Sequence, residues 1–182
     1  IDAYNKKIKI TEFKEKHITA NYVKWLNDND VVRYSEQRHY NHTIKSCFEY
    51  YSQMKRSGNY FLAIEIFDEQ EWKHIGNLGA TVDQGNRIAD LAILVGDKSQ
   101  WGKGFGTSAW CLAADSLIEL LDLRFITAGT MAVNQPMINI FERSEMKIES
   151  TLPRRFLFEG SEVDLVIASG QNKGFKRFLK KN

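Results

Sequence analysis

A chain of 182 residues, 43% apolar and 26% charged, suits one ordinary globular domain that buries roughly 70% of its unfolded surface without disulfides or metals. No apolar run approaches the ~20 residues that span a bilayer, and four histidines with two cysteines at no metal-ligand spacing exclude a structural zinc site. The net charge of +2 makes no case for nucleic-acid binding. Lys173, Lys176, Arg177, Lys180 and Lys181 stand together in a basic tail, 173–182, that holds no acid, so the rest of the chain is net negative.

Cys47 and Cys111 each fall inside an apolar helical pattern. Two buried thiols in a reducing cytosol are expected, and hence a cytoplasmic location, with a single disulfide as the alternative. No secretory leader is read, and the opening at Ile1 rather than Met leaves the true N-terminus undefined.

In chain order, the alternation Ile8, Ile10, Thr11, Phe13 predicts a strand over 7–13. Ile18, Tyr22, Val23, Trp25 and Leu26 then fall at helical spacing, and the helix should end near Asn27-Asp28-Asn29-Asp30. Residues 31–42 are irregular and rich in functional side chains. A helix is predicted from Thr43, with Ile44, Phe48, Tyr51 and Met54 on one face, to the stop at Ser57-Gly58. Strands follow over 60–67, 74–82 and 88–95, divided by turns at 68–71 and 83–86. A glycine-rich turn at 96–106 leads into a long amphipathic helix, about 107–121. A strand over 124–133, a short helix over 136–146, and strands over 148–158 and 163–168 complete the chain. No repeat or linker interrupts it, and the order predicts a single α+β domain with a mostly antiparallel sheet.

The segment 91–121 carries the chemistry. A buried strand runs into a turn holding Gly96, Gly102, Gly104 and Gly106, and the chain then enters a helix. Glycine lets backbone approach a ligand closely, and the first N–H groups of a helix lack intrahelical partners and sit at the positive end of its dipole. Such a turn suits phosphate. The dinucleotide template G-x-G-x-x-G fails here because no glycine stands at 107, and no Gly-Lys-Ser/Thr closes the turn as a nucleotide P-loop requires.

Gln100-Trp101-Gly102-Lys103-Gly104-Phe105-Gly106 resembles the acyl-CoA pyrophosphate motif of the GNAT superfamily of N-acetyltransferases, Gln/Arg-x-x-Gly-x-Gly/Ala, with Trp101 in place of the usual Gln/Arg. Asn134-Gln135-Pro136-Met137-Ile138-Asn139-Ile140-Phe141-Glu142-Arg143 resembles the family's Asn-x-x-Ser-x-x-x-Tyr-Glu-Lys segment. With Trp25-Leu26-Asn27-Asp28 near the first helix, the likeness covers nearly the whole chain. It is nearest the branch of ribosomal-protein N-terminal and amino-sugar acetyltransferases.

The resemblance implies a twisted sheet of about seven strands with about four helices, the fourth and fifth strands (88–95 and 124–133) splayed around acetyl-CoA as co-substrate. It implies that Leu94 and Val95 pair through their backbone with the pantetheine amides, and that the turn Trp101, Gly102, Lys103, Gly104, Phe105, Gly106, Thr107 holds the pyrophosphate. Asn134 and Asn139 would lie along the pantetheine arm near the thioester, although Asn134 is also a natural helix cap. Phe141 would touch the acyl-CoA but cannot give the leaving thiolate a proton, as the tyrosine of many relatives can. Glu145 and Met146 replace the family's glycine and aromatic residue.

The base is expected among Glu36, His39 and His42 of the loop or Asp90 of the fourth strand. Arg33, Arg38, Arg154 and Arg155 offer cations to a phosphorylated acceptor. The expected activity is acetyl transfer to a primary amine of a small acceptor, favouring a nucleotide-linked amino sugar. The alternatives are the N-terminal α-amine of a protein or peptide, and a non-catalytic acyl-CoA-binding domain. No nucleic-acid or membrane partner is expected, and a homodimer is left open.

Overall fold

In a computed structural model, residues 3–5 and 7–171 are described; the basic tail lies outside them. Eight strands form one sheet: β1 (Ala3–Asn5), β2 (Ile8–Glu12), β3 (Tyr60–Asp68), β4 (Glu71–Asp83), β5 (Ile88–Val95), β6 (Phe125–Met131), β7 (Lys147–Phe158) and β8 (Ser161–Gln171). Their order across the sheet is β1-β2-β3-β4-β5-β6-β8-β7. Every pairing is antiparallel except β5 with β6. Helices are α1 (Ala20–Leu26), α2 (Asn29–Val32), α3 (Ile44–Arg56), α4 (Phe105–Leu121) and α5 (Gln135–Arg143). None of them is long and apolar enough to cross a membrane.

The helices begin where their caps dictate. Thr19 accepts from the Tyr22 N–H, Asp28 from Asp30, and Thr43 closes a reciprocal capping box with Ser46. One strand and one short α-helix escape the sequence reading, as do the 3-10 turns Glu15–His17, Glu36–His39 and Lys98–Gln100. β1 is three residues long, and α2 starts within the Asn-Asp run that was read as a stop because Asp28 caps a new helix there. At the end of α5, Glu145 takes the left-handed φ of +57° that a glycine would adopt freely, and Met146 is buried behind it.

Two apolar clusters lie on opposite faces of the sheet. The larger unites Ile10, Ile64, Leu78 and Leu91 with Trp110, Ala113 and Leu117 of α4. The smaller joins Phe13, Phe61 and Ala63 to Tyr22 and Trp25 of α1 and to Cys47 and Met54 of α3. Cys47 and Cys111 are both buried free thiols. Strand alternation assigns the faces of β5: Ala89 and Leu91 belong to the α4 cluster, while Leu94 packs with the α1–α3 cluster.

The parallel ladder between β5 and β6 is short. It runs from Ile88↔Phe125 to Asp90↔Thr127 and then stops, although both strands continue. Beyond Asp90 the strands diverge, and Leu91–Val95 has no ladder on its β6 side.

Candidate active site

The glycine turn follows directly from the diverging end of β5. Gly104 is the N-cap of α4 at φ +84°, and Gly102 stands at φ +74°; a Cβ at either would point into open space. Both conformations strain any L-residue, so these glycines are required by backbone geometry. A glycine cap offers no side-chain oxygen, and none caps α4. The first bond of the helix runs from the Ser108 N–H to the Gly104 carbonyl at 3.1 Å. The N–H groups of Phe105, Gly106 and Thr107 therefore remain available at the positive end of a 17-residue helix. Gly106 lies against Ile140 of α5 and Val95 of β5, in ordinary contact even if a Cβ were added.

Trp101, in the unusual position of the motif, donates its indole N–H to the Val95 carbonyl at 2.8 Å. This modifies one expectation: the Val95 carbonyl is already engaged by the turn, so a ligand amide pairing there would have to share it. The turn is fastened from below as well. Lys98 bridges Asp28 at 2.8 Å and Asp30 at 3.0 Å. Gly96 accommodates Trp25, whose ring would lie 2.1 Å from a Cβ at that position. These features fit a pyrophosphate at the turn and an extended arm along β5.

Along the expected course of that arm, Asn134 caps α5. Its Oδ1 accepts from the Met137 N–H at 3.3 Å, and its Nδ2 donates to the Thr130 hydroxyl at 2.8 Å. The capping role is thus the one its bonds display. Asn139 accepts from Gln135 at 2.8 Å and is half-buried. Phe141 requires a correction. Its ring is fully buried, edge-on to Trp110 at 6.2 Å, so it is a core residue with no surface to present to acyl-CoA.

On the other face of β5 a cavity of about 340 Å³ opens. Ala92, Ile93 and Leu94 form one wall, Asn77 and Gly79 of β4 another, Tyr22 and Leu26 of α1 and Cys47 and Tyr50 of α3 the sides, and the segment from Ser35 to His42 the rim. The described residues lining it include no Lys, Arg, Asp or Glu.

Among the expected bases, only His42 lines this cavity. Glu36 and His39 do not; Glu36 is 61% exposed and paired with Arg38 at 3.0 Å and His39 at 3.7 Å, which holds it on the outside of the loop. Asp90 also lies outside the lining. It accepts from the Thr127 hydroxyl at 3.1 Å, on the last rung before β5 and β6 part, and partial burial raises its carboxyl above the ordinary range despite that bond.

Two of the four arginines are engaged elsewhere. Arg33 pairs with Glu159 at 2.8 Å and lies over Phe158, while Arg38 holds Glu36 and the Ser35 carbonyl at 2.8 Å. With Tyr34 stacked on Phe158, these contacts dock the loop onto the β7–β8 turn. They do not gather cations around an acceptor.

Sequence reading missed Tyr22, Tyr50 and Asn77. One signal for Asn77 was available: an amide between glycine and leucine in an otherwise apolar strand, Ile75-Gly76-Asn77-Leu78.

Comparison with known proteins agrees with this geometry. No curated protein sequence matches the chain. Among solved structures, a spermidine N-acetyltransferase from Vibrio cholerae in complex with CoA and spermine superposes with a TM-score of 0.83 at 17% identity, over 94% of this chain and 99% of that one. A ribosomal-protein-S5-alanine acetyltransferase from Vibrio fischeri gives 0.80 at 15%, over 94% and 97%. A GNAT-family acetyltransferase from Bacillus anthracis gives 0.79 at 14%, over 95% and 99%. At such identities the structures speak to the fold alone. The family model for the acetyltransferase (GNAT) domain matches residues 7–147, from β2 through the glycine turn and α5 to the first residue of β7. With strands parting beside an uncapped helix start, that match establishes that the chain belongs to the GNAT family of acetyltransferases, whose acyl donor is acetyl-CoA.

Proposed function

We propose that this chain moves the acetyl group of acetyl-CoA directly to a weakly basic, unphosphorylated primary amine, such as the α-amine of a peptide or the amine of a free amino sugar. The observation that carries this reading is the uncharged cavity whose wall is Ala92–Leu94, part of the same β5 segment that the splay leaves unpaired toward β6. Donor and acceptor would approach one strand from its two sides. The turn at 101–107 would hold the pyrophosphate through main-chain N–H groups, and β5 N–H groups would steady the developing oxyanion.

The lining supports this acceptor class. With no carboxylate, the cavity offers nothing to a polyamine or lysine ammonium, whose pKa near 10.4 leaves well under about 0.1% neutral at pH 7. An α-amine with a pKa near 8 is about a tenth neutral there. With no arginine or lysine, the cavity likewise offers nothing to the phosphates of a nucleotide-linked sugar. The nucleotide-linked amino sugar thereby loses the support that Arg33 and Arg38 lent it. The two buried free cysteines suit a reducing compartment, and we place the protein in the cytoplasm on that ground.

Thiol release from acetyl-CoA, measured side by side with tripeptides, amino sugars, nucleotide-linked amino sugars and polyamines, tests this reading. Peptides or free amino sugars should give the highest kcat/KM. A nucleotide-linked sugar exceeding its unphosphorylated parent by tenfold would overturn the acceptor class.

A further inference from the structure

Two acceptor-capable atoms in the cavity wall are buried without a hydrogen-bond partner among the described residues: Nε2 of His42 and Oδ1 of Asn77. Such atoms are rare in native proteins, and each keeps an uncompensated desolvation cost unless a ligand or water completes it. They come from separate parts of the chain. Asn77 lies on β4 in register with Leu94, and His42 ends the loop immediately before the Thr43 cap.

His42 is held far more firmly than a connector requires. The side chain of Asn27 clamps its peptide groups from both sides, accepting the His42 N–H at 2.8 Å and donating to the His42 carbonyl at 2.9 Å. The same Nδ2 donates to the Val23 carbonyl at 3.0 Å, which seats the clamp on α1. The next residue begins the capping box of α3, and Tyr40 meets the imidazole edge-on at 6.5 Å.

We propose that His42 is the general base of the acetyl transfer, that Asn77 orients the attacking amine through Oδ1, and that Asn27 is a positioning residue that fixes His42. This rests on the acetylation reading above. The acceptor ammonium first loses one proton to solvent. The amine nitrogen then bonds to the thioester carbonyl carbon while His42 Nε2 takes a second proton from it. The C–S bond breaks, the thiolate leaves with the electron pair and takes a proton from water, and His42 returns its own to solvent. The balance is ammonium plus thioester to amide, thiol and one proton. A neutral imidazole suits this task near pH 7. The other titratable groups lining the cavity are Tyr22, Tyr40, Cys47 and Tyr50. Burial raises Tyr22, Cys47 and Tyr50 above their ordinary values, away from the region where an imidazole titrates.

Steady-state kinetics of the full chain across pH 5–9, with the best amine of the panel, tests the assignment. In wild type, log kcat/KM should fall toward acid with a slope that steepens from about one to about two, the first proton belonging to the acceptor and the second to His42. His42→Ala should lower kcat about a hundredfold, keep a slope of about one, leave the acetyl-CoA KM within twofold and recover partly with added imidazole. Asn27→Ala should lower kcat about tenfold yet keep the steeper limb, since the imidazole remains. His42→Gln, checked by thermal melting, covers the case in which the alanine variant does not fold. A slope of two retained in either folded His42 variant would overturn the assignment while acetylation stands. A wild-type chain that releases no thiol with any amine would overturn both.

Discussion

The donor side and the acceptor side proposed for this site are built from different materials. The donor side is main chain: a glycine turn, the free N–H groups at the start of α4, and one strand edge, all within the contiguous stretch 91–107. The acceptor side is side chain, assembled from Tyr22, His42, Tyr50 and Asn77 on four elements that only the fold brings together. A ligand held by backbone constrains few residue types beyond glycine, so its sequence trace is short and dense. One held by side chains leaves its trace scattered.

Tests of that contrast run from large effects to small. The Trp25 ring meets Gly96 of the glycine turn, stands edge-on to Tyr22 of the cavity wall with centroids 6.4 Å apart, and lies 5.2 Å from the ring of His74. Burial lowers the His74 pKa from 6.5 to about 4. The neutral form is thus the folded form, so its stabilisation is present above pH 6.5 and is lost as pH falls toward 4, up to roughly 3 kcal/mol. Denaturant melts at pH 7.5 and 4.5 should show that loss, and His74→Phe should reduce it; equal acid sensitivity in the variant would put the cause elsewhere.

Gly104→Val should then raise the Kd for acetyl-CoA at least about tenfold by calorimetry, because a side chain at φ +84° must move the helix start. An unchanged Kd in a folded variant would mean that the main chain of the turn does not hold the donor. Asn77→Leu should raise the acceptor KM by about three- to tenfold with acetyl-CoA Kd unchanged; a change in donor affinity instead would erase the distinction between the two sides. Asp28→Ala removes an α2 cap and a partner of Lys98, and should lower Tm by roughly 2–4 °C.

The fold was largely legible because its signals are local. Strand alternation set β5 at 88–95, and Thr43 announced α3 through its cap. α2 was hidden because Asn-Asp reads equally as a stop and as a cap, and only the surroundings choose. In the site, Gly102, Gly104 and Gly106 were plain from spacing, since no side-chain packing explains alternating glycines at a helix start. Asn27 and Asp28 stand out in the sequence only as a helix stop and as part of the resemblance, not as residues of the site. Their partners, His42 and Lys98, lie 15 and 70 residues away, and no periodicity reports such pairs. Phe141 misled for a related reason: a motif position fixes where a residue stands on a helix, while its burial depends on what the core places opposite, here Trp110.

The stretch Trp25–Asp28 has a thermodynamic consequence. Trp25 bears on the donor turn through Gly96, Asp28 holds the same turn through Lys98, and Asn27 between them fixes the imidazole on the acceptor side. Whatever shifts this corner of α1 shifts both sites at once. Loading with acetyl-CoA would then alter acceptor affinity by some factor, and by linkage the acceptor would alter donor affinity by the same factor. The two substrates would bind as heterotropic effectors of each other, through a segment of which only Leu26 lines the acceptor cavity.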